Sequence, residues 1–117
     1  MRVLLVDDEE ELVTALAERL SFRGIEADWS STGSGALELV EANPYDVAVL
    51  DVKMPNISGI ELKRRLEKIR PSMKYIFLTG HGSEEDFRAG LAEASRYLVK
   101  PLDIDVLVAT MRQVVEP

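Results

Sequence analysis

The sequence predicts one α/β domain, a parallel five-stranded sheet doubly wound in the order 2-1-3-4-5 with helices on both faces. Three observations carry this. Short apolar runs rich in β-branched residues alternate five times with segments of helical periodicity. Most of the apolar runs end at a polar residue and not at a tight hairpin turn. A length of 117 residues fits one domain and leaves no room for a second.

Each element has a local reason. Val3-Leu4-Leu5-Val6 is a short apolar run that reads as a strand covered on both faces, and it ends at Asp7-Asp8. Leu12, Val13, Leu16, Ala17 and Leu20 then recur at helical spacing through Phe22, with Gly24 placed as a stop. Ala27 to Ser30 is a weaker strand, with Trp29 near its end expected to be partly exposed. Ser34 is expected to cap a helix carrying Ala36, Leu37, Leu39 and Val40, which Asn43-Pro44 ends. Val47 to Leu50 is the clearest buried strand and stops at Asp51. Ser58 with Glu61 three residues later forms a capping box for a helix through Leu62, Leu66 and Ile69, closed by Pro71. Tyr75 to Leu78 is a fourth strand ending at Thr79-Gly80. Ser83 is placed to cap a fourth helix holding Phe87 and Leu91, weakened by Gly90. Tyr97-Leu98-Val99 is a fifth strand ending at Lys100-Pro101, and Asp103 caps a fifth helix through Leu107, Val108, Met111 and Val114.

Composition excludes several classes of function. With no cysteine there are no disulfides, thiolate metal sites or cysteine nucleophiles. The apolar runs fall far short of the ~20 residues needed to cross a bilayer, and no signal-peptide core opens the chain, so a cytoplasmic protein without membrane contact is expected. A formal net charge of −7 argues against direct binding of nucleic acid by this domain. The chain shows no linker, repeat or low-complexity stretch.

Ligands of doubly wound sheets bind outside the carboxyl ends of the strands, where the strand order reverses. There the sequence gathers Asp7, Asp8, Asp51, Thr79 and Lys100, and it shows no competing set at the opposite ends. Singly these have bland readings: acids favoured at a helix N-terminus, a turn-forming aspartate, a turn hydroxyl, a solvated lysine. Together they describe three carboxylates that need a cation, an oxygen-only site suited to Mg²⁺, and a hydroxyl and an ammonium suited to phosphoryl oxygens. The constellation predicts a phosphoryl group delivered onto a carboxylate.

Over essentially its whole length the chain resembles the receiver domains of two-component response regulators. The match is carried by Asp7-Asp8, by Leu50-Asp51-Val52-Lys53-Met54-Pro55, by Gly59, by Thr79-Gly80 and by Tyr97-Leu98-Val99-Lys100-Pro101. The resemblance implies the flavodoxin-like (βα)5 fold and a phosphorylation-dependent signalling switch spanning 1–117, with no output domain in this chain. Asp51 would accept the phosphoryl group from a sensor histidine kinase, a phosphotransfer protein or a small phosphodonor. Asp7, Asp8 and Asp51 would hold Mg²⁺ with the backbone carbonyl of Lys53. Thr79 and Lys100 would contact phosphoryl oxygens, and the Lys100-Pro101 peptide would be cis. Thr79 and Tyr97 would form the switch, altering the face built from the fourth helix, fifth strand and fifth helix. That face would control an output domain or downstream protein in transcription regulation, with a phosphorylation-linked homodimer as a further partner. Lys53 and His81, two residues beyond Asp51 and Thr79, would lie at the pocket rim and tune loss of the acyl phosphate. Taken alone, Tyr97 also reads as a half-buried strand aromatic and His81 as an exposed loop residue.

Many receivers carry Ala-Gly-Ala near the end of the fourth helix, where this chain has Ala92-Glu93-Ala94, so that helix is expected to end differently. Three other readings compete with a phosphoacceptor receiver. A Mg²⁺-dependent phosphatase with an aspartate nucleophile usually has a second acid two residues on, where this chain has Lys53. A flavin-type cofactor binder needs a hydroxyl- or glycine-rich loop after the first strand, where five consecutive acids would repel a phosphate. A degenerate receiver acting only as an interaction module would have no need of the full set of polar strand ends.

Overall fold

Parallel strands paired on both edges must be apolar on both faces, and the central runs of this chain meet that demand. In the computed structural model, which describes residues 1–80 and 96–116, five parallel strands form one sheet in the order β2-β1-β3-β4-β5. They are β1 (Arg2–Val6), β2 (Glu26–Ser30), β3 (Val47–Asp51), β4 (Lys74–Thr79) and β5 (Arg96–Val99). Helices α1 (Glu10–Ser21), α2 (Gly33–Ala42), α3 (Gly59–Ile69) and a C-terminal helix (Ile104–Val115) complete the described elements. The predicted strand order and class are observed. The expected fourth helix, with Ser83, Phe87, Gly90, Leu91 and Ala92 to Ala94, lies outside the described residues, as does His81.

The two-residue period of the strands sorts their side chains into two cores. Val3, Leu5, Val49, Ile76 and Leu78 face α1 and the C-terminal helix, meeting Val13, Leu16, Leu20, Leu107 and Met111. Leu4, Val6, Ala48, Leu50 and Phe77 face α2 and α3, meeting Ala36, Val40, Leu62 and Leu66. β3 is buried at every position because β1 and β4 flank it and helices cover both faces. β5 has a neighbour on only one side, so it is less protected, and Val99 is 55% exposed.

The helix ends follow local chemistry, with one correction. Ser58 accepts from the Glu61 N–H at 3.2 Å and Asp103 from the Asp105 N–H at 2.8 Å, as the capping pattern predicts. α2 instead starts two residues earlier than expected. Thr32, not Ser34, is its N-cap, accepting from the Gly35 N–H at 3.0 Å. Thr32 holds the extended backbone that aims an N-cap hydroxyl at the first turn, whereas Ser34 already lies inside the helix. Gly24 adopts a φ of 73°, the left-handed turn that ends the α1 region at little cost for glycine. No helix among the described residues is long and apolar enough to cross a membrane.

Candidate functional site

β1 and β3 are neighbours, so their carboxyl ends lie side by side at the point where the strand order reverses. Val6 stands opposite both Leu50 and Ser30, which brings the residues following Val6 beside Asp51. Asp7, Asp8 and Asp51 each present a carboxylate oxygen within a cluster where all three atoms lie within 4.8 Å of one another. Asp7 is 1% exposed and Asp51 and Thr79 are each 5% exposed, while Asp8 faces solvent. A cavity of about 240 Å³ opens over them, lined by Asp8, Glu9, Asp51, Lys53, Thr79, Gly80 and Lys100.

Backbone contacts set these groups. The Glu9 N–H donates to Asp7 Oδ1 at 2.9 Å, and the Lys53 N–H to Asp51 Oδ1 at 3.3 Å. Lys100 donates its N–H to the Thr79 carbonyl at 2.7 Å, and the Lys100-Pro101 peptide is cis. Gly59 serves Asp51 from behind: its N–H reaches the Val52 carbonyl at 2.9 Å, and a Cβ there would collide with the backbone carbonyl of Asp51. Only glycine permits that approach without moving the strand end.

The electrostatics are those of crowded carboxylates around one cation. Lys100 Nζ lies 2.6 Å from Asp7 Oδ2, 3.2 Å from Glu9 Oε1 and 3.8 Å from Asp51 Oδ2. The closest of these contacts, to the buried Oδ2 of Asp7, is a charge-assisted pair that ties the ammonium to the floor of the site. Burial, then the charge of Asp7, push the Asp51 carboxyl up to about 7, and a hydrogen bond with Asp8 adds to this, while Lys100 and the Lys53 N–H pull the other way. Burial by itself would lower the Lys100 pKa, but its contacts with Asp7, Asp51 and Glu9 outweigh that and raise it. Three carboxylate oxygens clustered within 4.8 Å of one another, open to water, fit a hard divalent cation that keeps part of its own hydration.

Asp7, Asp8, Asp51, Thr79, Lys53 and Lys100 therefore meet in one pocket. Tyr97 stands apart, opposite Phe77 in the sheet register and half-buried against the α2/α3 core. Sequence reasoning missed Glu9, the acid that reaches Lys100. Its signal was its N-cap position, where glutamate is a poor choice and its side chain makes no cap bond. The sequence also hid a polar cluster toward the opposite end of the sheet. Arg2 pairs with Asp28 at 3.3 Å, the Tyr45 hydroxyl donates to Asp28 at 2.6 Å and the Arg2 N–H donates to Asp46 at 2.7 Å. Strand pairing of β1 with β2 brings these together, and their charges satisfy one another.

A family model described as the response regulator receiver domain matches residues 3–112. The transcriptional regulatory protein TcrA of Mycobacterium tuberculosis is 37% identical over 113 residues, covering 96% of this chain and 45% of that protein. The chain spans about half the length of the curated relatives it matches. A CheY-like receiver domain protein of Methanospirillum hungatei superposes with a TM-score of 0.90 at 31% identity, covering 98% of this chain and 93% of that one. A response regulator of Burkholderia pseudomallei, solved with a phosphorylated aspartic acid, a calcium ion and citrate, gives a TM-score of 0.86 at 27% identity over 94% of this chain and 65% of that one.

Proposed function

Because this chain belongs to the receiver-domain family of two-component response regulators, we propose that it is a phosphorylation-dependent switch whose phosphoacceptor is Asp51. One observation carries this reading: the Asp51 carboxylate stands at the floor of an open pocket, clustered with Asp7 and Asp8 and 3.8 Å from the Lys100 ammonium. A nucleophile, a cation seat and a phosphoryl-oxygen partner are thus within one small volume. The Burkholderia relative, solved with a phosphorylated aspartic acid and a calcium ion, supports the same chemistry here.

Family receivers typically use Mg²⁺, and Asp7, Asp8 and Asp51, with the Lys53 carbonyl, would hold it here. When bound, that ion would neutralise negative charge on the carboxylates and on the incoming phosphoryl group. The chain's own residues do the rest. An Asp51 oxygen attacks phosphorus in line as the bond to the donor's leaving atom breaks, so the domain works mainly by positioning. Lys100 supplies a point charge and Thr79 a hydroxyl donor to the transferred group. The added charge would draw Thr79 inward and free Tyr97 to change the face around β5 and the C-terminal helix. A histidine kinase or phosphotransfer protein would supply the phosphoryl group in the cytoplasm. An output domain, a downstream protein or a second copy of the chain would read that face, and Lys53 and His81 would tune the lifetime.

Incubation with acetyl phosphate and Mg²⁺, followed by intact mass measurement, tests the assignment. Wild type should gain one phosphoryl group and Asp51→Asn none. Full labelling of Asp51→Asn would overturn it, and no labelling of either would favour a receiver that acts only as an interaction module.

A further inference from the structure

The Lys100 ammonium is shared unequally among three carboxylates. Asp7 is fixed: it is buried, and the Glu9 N–H holds its other oxygen at 2.9 Å. Glu9 is different. Its side chain is 64% exposed and sits at the N-cap of α1 in the extended backbone that suits capping, yet it makes no cap bond. It reaches across to Lys100 Nζ at 3.2 Å instead, closer than Asp51 at 3.8 Å. Glu9, Gly80 and Lys100 line both the pocket over Asp51 and a neighbouring groove of about 440 Å³ along α1. The Glu9–Lys100 pair therefore stands between the two, at the edge of the pocket over Asp51.

Resting on the reading of Asp51 as phosphoacceptor, we propose that Glu9 is a positioning residue that latches the Lys100 ammonium at the pocket rim and competes for it with incoming phosphoryl oxygens, slowing their capture. In the transfer, an Asp51 oxygen bonds to phosphorus as the donor's bond to its leaving atom breaks. Lys100 must turn from Glu9 toward the phosphoryl oxygens during that step, with Asp7 as its pivot. An ion pair this exposed is a weak hold, so its release changes the rate by about twofold to fivefold and not by orders of magnitude.

The test uses the whole chain with phosphoramidate and Mg²⁺, where the Asp51–phosphorus bond forms as the phosphorus–nitrogen bond breaks and ammonia leaves. Labelling rates are followed by intact mass for wild type, Glu9→Gln and Glu9→Asp. Aspartate keeps the charge but is shorter by one carbon–carbon bond, about 1.5 Å, and as a favoured N-cap it turns to the helix instead. The latch makes both variants about twofold to fivefold faster than wild type, and Glu9→Asp at least as heat-stable. In a Lys100→Ala background, itself slower, neither exchange should change the rate further. A Glu9→Asp rate equal to wild type beside a faster Glu9→Gln would show simple charge repulsion and overturn the proposal. So would acceleration that persists without Lys100, or no acceleration in either variant. A wild-type chain that takes no label at Asp51 would instead overturn the phosphoacceptor reading itself.

Discussion

Replacing Asp51 with asparagine should stabilise the metal-free fold at neutral and alkaline pH, although it removes the proposed reactive group. The reason is the crowding of carboxylates in the pocket. The Asp51 carboxyl, ordinarily near 3.8, is pushed up to about 7 by burial and by Asp7. A carboxyl whose pKa is higher in the folded than in the unfolded chain favours the fold in full below the unfolded value, and loses that contribution as pH rises through the folded one. Stability of the metal-free wild type should therefore fall between about pH 4 and pH 7 from this group. At 1.36 kcal/mol per pH unit the full penalty is about 4 kcal/mol. Water in the open pocket and the nearby Lys100 screen part of it, which leaves about 2 kcal/mol, or roughly 8 °C in Tm for a domain of this size. Thermal unfolding of wild type and Asp51→Asn in chelator at pH 5 and pH 8 measures it. The variant should gain less than half as much at pH 5 as at pH 8, and added Mg²⁺ should narrow the gap by stabilising wild type more. An Asp51→Asn protein equal to or below wild type at pH 8 would refute the reasoning, because it would show that the three carboxylates do not strain one another.

The same proton makes cation binding pH-dependent: Mg²⁺ should release a proton below about pH 7, so its apparent affinity rises by up to about tenfold per pH unit and then levels. Titration calorimetry at pH 5.5 and 8, in two buffers of different ionisation heat, reads both the affinity and the proton. Gly59→Ala should cost about 1–3 kcal/mol in urea unfolding, because its methyl group can enter only by displacing the Asp51 carbonyl. It should also slow labelling of Asp51 by moving the strand end that carries it.

Periodicity and strand-end chemistry were legible in the residues themselves, because they are local. A run such as Val47 to Leu50 can be satisfied only between two covered faces, and a polar residue where such a run stops can serve only the rim of the sheet. From these came a parallel sheet with helices on both faces and the polar set Asp7, Asp8, Asp51, Thr79 and Lys100 at its rim, whereas the order β2-β1-β3-β4-β5 belongs to the fold class as a whole. Choices between near-equivalent neighbours were decided by backbone geometry. Thr32 and Ser34 both carry a hydroxyl, and only the extended conformation at Thr32 makes it the cap. Glu9 through Glu11 read alike as first-turn acids, and only the approach of the β5 end to the start of α1 lets Glu9 alone meet Lys100. Gly59 acquires its reason from a carbonyl eight positions away in the chain, brought against it by the loop that follows β3. The sequence by itself determined that Asp7, Asp8, Asp51, Thr79 and Lys100 stand at the strand ends, since side-chain period and strand ends are properties of neighbouring residues. Tertiary structure alone decided which carboxylate holds the ammonium and how far each sits from Asp51, since those distances depend on segments far apart in the chain.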